Sequence, residues 1–121
     1  MVKKLSWDLK TNFLYFKEYW SNEDVLHDFL VDNLQGDIDY PFYYGISEEE
    51  ITEKQQEFFT DIVYSLMEII TRCLDNSRSY KDFKKEFIDE ITTKHSRDFK
   101  SVSKMLEYIL LKLIEEFVAK G

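Results

Sequence analysis

The chain is poor in the residues that build turns, crosslinks and phosphate loops. Its 121 residues include three glycines, one proline, one cysteine and two histidines. A lone cysteine excludes a disulfide framework. So little glycine and proline excludes a turn-rich sandwich and a glycine-rich phosphate cradle. Long hydrophobic runs are also missing. The longest unbroken apolar or aromatic stretches, such as residues 13–16 and 108–111, are four residues, and a membrane span needs about 20. The start, Met1-Val2-Lys3-Lys4-Leu5, is briefly basic, but Asp8, Lys10 and Asn12 leave no apolar run after it. No signal peptide is readable there, and the cytoplasm is the expected compartment.

Catalytic signatures are lacking as well. There is no H-E-x-x-H, C-x-x-C, EF-hand loop or Walker motif, and no local nucleophile–histidine arrangement. His27-Asp28 matches a dipeptide of metal-dependent phosphohydrolases, which need several further ligands. Asp37-Ile38-Asp39 resembles the start of a calcium loop, but Phe42 stands where that loop requires glycine. His95, in Lys94-His95-Ser96-Arg97, reads as a surface histidine. Cys73 falls on an apolar stripe and reads as a buried, inert thiol. No cofactor, metal or catalytic residue is therefore expected, and the chain does not read as an enzyme.

What is present is apolar and aromatic material. Hydrophobic residues make up 44%, aromatics 17% and charged residues 33%, enough for one packed domain over residues 1–121. The periodicity is helical almost throughout. A first helix is expected over residues 7–20, with Ser6 as N-cap and Leu9, Phe13, Phe16 and Trp20 on one face; residues 13–16 also admit a short strand. A second starts at Ser21, where Ser21 and Asp24 form an S-x-x-D signal, and ends before Gly36. A third covers residues 48–75 behind a capping box of Ser47 and Glu50. A fourth begins at Ser79 and carries Tyr80, Phe83, Phe87 and Ile91, with a break after Thr92-Thr93. A fifth, over residues 97–119 with Ser96 as N-cap, is expected to be the most buried and to pack on the third. The expected fold is all-α, an antiparallel bundle of about five helices with one long aromatic and acidic loop over residues 35–47.

The charge is uneven. The formal net charge is −8, and all of it lies in residues 1–60, where five lysines face thirteen acids. Between Glu18 and Glu57 a single cation, Lys54, faces twelve acids. Part of this is helix chemistry, because Glu23, Asp24, Glu48, Glu49 and Glu50 fall in first turns, where the helix dipole favours them. Such an acidic chain is a poor direct ligand for nucleic acid. The lysines around the fourth helix, among them Lys81, Lys84, Lys85 and Lys94, are interleaved with Asp82, Glu86, Asp89 and Glu90 and read as a mixed solvated face.

The acidic stretch encloses Tyr40-Pro41-Phe42-Tyr43-Tyr44. These aromatics have two readings: Phe42 and at least one tyrosine fold back as a lid on the core, or some rings stay exposed as anchors for a partner. An acidic rim around aromatic anchors suits a basic protein surface: charge speeds encounter and rings slow dissociation. The expected role is a small protein-binding module that neutralises a basic partner, in the manner of an immunity protein, antitoxin or inhibitor of a toxin, nuclease or other nucleic-acid enzyme. The expected contacts are Asp37, Asp39, Tyr40, Tyr43 and Tyr44 in the loop, Glu48, Glu49 and Glu53 on the following helix, and Asp28 and Asp32 on the preceding one. The alternative is a structural subunit whose apolar stripes complete a homodimer or larger assembly. No membrane partner is expected.

Overall fold

Apolar residues three and four apart give each segment one dry stripe, and another helix is what covers it. The computed structural model describes residues 9–36, 38, 40–94 and 100–120. The described residues form an all-α bundle and include no strand. The helices are α1 (Leu9–Trp20), α2 (Glu23–Leu34), α3 (Glu48–Asn76), α4 (Tyr80–Asp89), α5 (Lys100–Lys104) and α6 (Leu106–Lys120), and α4 runs on into a π-turn at Glu90–Lys94. The expected caps Ser6 and Ser96, together with Trp7, His95 and Arg97, lie outside the described residues.

Residues 13–16 are helical. Phe13 and Phe16 are buried while Leu14 and Tyr15 between them are exposed, a spacing that a helix produces and an alternating strand does not. The connection from α1 to α2 corrects one expectation. Asn22, not Ser21, caps α2: its side-chain oxygen accepts from the backbone N–H groups of Asp24 (3.0 Å) and Val25 (3.3 Å). Ser21 instead donates its hydroxyl to the Lys17 carbonyl at 2.7 Å. With two residues between the helices, the first closes α1 and the second opens α2. The other two caps stand where they are expected. The Ser47 hydroxyl accepts from Glu50 N–H at 3.3 Å, and that of Ser79 from Asp82 N–H at 3.2 Å.

The C-terminal segment is not one helix. Met105 separates α5 from α6, and its N–H bonds the Val102 carbonyl three residues back at 2.9 Å. Val102 and Leu106 on either side of it are both buried. The closest helical neighbours of α3 are α2 and α4, whereas α6 meets α1 through Phe117, whose ring lies 5.4 Å from Phe16 and 5.9 Å from Tyr19. Phe16 sits at the centre of the core, edge-on to Tyr80 at 5.7 Å and to Phe83 at 6.1 Å. It thereby joins α1, α4 and α6.

Glu90, expected on the solvated face, is buried. Phe87, Glu90 and Ile91, three and four residues apart, all point inward. Arg72 of α3 places Nη2 2.9 Å from Glu90 Oε2. Cys73 beside it is buried and not disulfide-bonded.

Candidate functional site

The site is built where α3 outruns its neighbours. At 1.5 Å per residue the 29 residues of α3 span about 44 Å. Helix α2 runs back along its far half: Glu23 borders the same groove as Arg72 and Asp75, and the His27 ring lies 5.7 Å from that of Tyr64. Between Glu48 and Asp61 no side chain of α3 is fully buried. Ile51, Gln55, Phe58 and Phe59 are half-buried, and the other positions of that stretch are exposed. This end of α3 is an arm with one thin apolar seam, and its exposed faces carry Glu48, Glu49, Glu50, Glu53 and Glu57.

The loop before α3 lies against this arm. Ile38 is buried, and Tyr40 is half-buried with its ring 5.8 Å from Phe58. These two residues tie the loop down. Beyond Pro41 it turns outward: Phe42 is 83% exposed and Tyr44 81% exposed, and their rings stack on each other at 5.3 Å with 27° between planes. Tyr43 is half-buried. Gly45 takes φ 71°, a left-handed turn that costs a glycine little, and redirects the chain into the Ser47 cap. Tyr44 therefore stands one turn before the acidic start of α3.

The lid expectation is corrected for Phe42. Tyr40 folds back and Phe42 does not. Phe42 is not among the expected partner contacts, and no sequence signal distinguishes the two rings: in an irregular segment the direction of a side chain depends on backbone angles that no periodicity encodes. Tyr40, expected as a contact, supports the loop instead. Tyr44, Glu48, Glu49 and Glu53 are exposed and lie together on the loop and the first turns of α3. Asp37 and Asp39 lie outside the described residues. Asp28 and Asp32 are exposed on one face of α2. Asp28 is 3.5 Å from His27, at the level of Tyr64, which is about 24 Å along α3 from Glu48. It belongs to a different part of the surface.

A groove of about 690 Å³ lies far from the loop, beside Tyr64, Met67 and Arg72 of α3. Among the described residues no group of histidine, cysteine or acidic side chains is placed to hold a metal ion, and no helix is long and apolar enough to cross a membrane. No protein-family model, curated protein or solved structure matches the chain.

Proposed function

We propose that this chain is a protein-binding module that docks a basic partner and neutralises it, as an immunity protein, antitoxin or inhibitor of a nuclease or other nucleic-acid enzyme does. The observation that carries this reading is the exposed Phe42–Tyr44 stack standing beside the acidic arm of α3. Two large rings held in water are an unfavourable arrangement for a free surface, and exposed apolar groups rimmed by charge are a mark of interaction sites. The rings supply anchor area, and the carboxylates supply long-range attraction to a cationic surface. Occupying the surface that a nucleic-acid enzyme offers to phosphate would block that enzyme without any chemistry by the inhibitor.

The test is capture of partners from the lysate of the source cells on the immobilised protein, in parallel with the triple variant Glu48→Gln, Glu49→Gln, Glu53→Gln. The expected result is a basic protein retained by the wild type at low salt, shed at high salt, and retained poorly by the variant. Equal retention by both proteins would remove the arm from the interface.

A second reading, a structural subunit, has its own observation. Leu14 and Tyr15 on α1, and Tyr108 and Leu111 on α6, are exposed. Self-association that persists at high salt, measured by sedimentation, would favour assembly through those helices.

A further inference from the structure

Resting on the docking role just proposed, we infer that the group seated on the Phe42–Tyr44 stack is an arginine side chain of the partner, its guanidinium lying flat on the exposed ring face. Three features of the loop converge on that chemistry. The first is the stack itself, two nearly parallel rings presented to solvent with no partner ring from the rest of the described residues. A planar cation is held on such a face by the ring quadrupole, and guanidinium stacks there more readily than ammonium. The second is the backbone. None of the backbone groups of residues 41–44 makes a hydrogen bond with a described residue, so no described residue occupies the carbonyls of this segment. A guanidinium lying on the stack presents its five N–H donors sideways in a plane, where acceptors of the loop backbone can be reached. An ammonium has three donors and no plane.

The third feature is charge. Glu48 and Glu49 come four and five residues after Tyr44, with Lys54 the sole cation between Glu18 and Glu57. The second half of the chain carries no net charge to match it, since eleven cations and eleven acids balance over residues 61–121. Complementarity therefore points to a different, arginine-bearing protein segment rather than to a second copy of this chain.

The test measures binding of a fluorescent nonapeptide of arginine and its lysine counterpart to the full chain by anisotropy, at low and at near-physiological salt. Both peptides carry the same charge, so the carboxylates alone do not separate them. The expected result is arginine bound about three- to fivefold more tightly than lysine, a preference of the size of an exposed cation–π contact. Phe42→Leu with Tyr44→Leu, which keeps apolar bulk and removes the rings, is expected to abolish the preference while leaving salt-sensitive binding of both peptides. Far-ultraviolet circular dichroism of that variant, expected to match the wild type, shows that it folds. Equal affinity for the two peptides in the wild type would overturn the arginine anchor and leave the acidic docking surface standing. A preference that survives loss of the rings would overturn it too. If neither peptide binds at low salt, the anchor falls, and the capture experiment decides the docking role separately.

Discussion

Two phenylalanines mark the extremes of what a side chain does in this molecule. Phe16 is fully buried and meets three rings from two other helices, Tyr80 and Phe83 of α4 and Phe117 of α6. Phe42 is 83% exposed, and among the described residues its ring stacks on Tyr44 alone. Phe16→Ala is expected to cost roughly 3–5 kcal/mol of stability, from lost burial and the cavity left behind. Phe42→Ala should stay within about 0.5 kcal/mol. Urea unfolding of the two variants measures both, and a large loss at Phe42 would mean that its ring is packed. Tyr80 gives a second residue-scale expectation. Burial pushes its phenol up to about 12 from the ordinary 10.0, and the nearby Glu107 carboxylate adds to the effect. The folded chain then holds this proton where the unfolded chain has lost it. Stability contributed through Tyr80 is intact below pH 10 and declines as the pH rises from 10 toward 12. Tyr80→Phe should flatten that decline; an unchanged alkaline profile would place the ionisation elsewhere.

At the scale of the element, helix ends decide more than helix interiors. Asn22 satisfies two backbone donors at the start of α2, so Asn22→Ala is expected to cost about 1 kcal/mol. Ser21→Ala removes one exposed hydroxyl bond to Lys17 and should cost less. The reverse order in thermal unfolding would restore Ser21 as the cap. The Arg72–Glu90 pair links the middle of the bundle to the π-turn. Its Nη2 and Oε2 are close, but the geometry is that of paired charges rather than an aligned hydrogen bond. Glu90 lies three residues after Phe87 and seven after Phe83, which places it on the apolar stripe of α4. That spacing was the available sign that this carboxylate is not a surface one.

For the whole molecule the governing quantity is the charge imbalance. Twelve acids against one lysine between Glu18 and Glu57 repel one another in the free protein. Added salt screens that repulsion, so the melting temperature is expected to rise between low and moderate ionic strength, while binding to a basic partner weakens over the same range. A melting temperature that falls with salt would mean that favourable ion pairs outweigh the repulsion. These opposite responses share one cause: the surface that costs the free chain stability is the surface that attracts a cationic one.

Helix content, the caps at Ser47 and Ser79, and the apolar stripes were legible because each is encoded by residues within one or two turns of one another. Phe83, Phe87 and Ile91 declare their face by spacing alone, and Ser47 by its offset from Glu50. The location of the charge was likewise legible, since it is a count. Three things were decided only by the tertiary structure. The direction of each ring in the loop depends on whether a core residue is there to meet it, and Phe58 meets Tyr40 while Phe42 stays exposed. The break at Met105 arises because neighbouring helices fix where buried side chains fit, and the backbone adjusts by a tightened turn. The projecting arm of α3 exists because α2 lies beside the helix's far half, and the length of a neighbour's contact is a property of packing that no local sequence pattern carries.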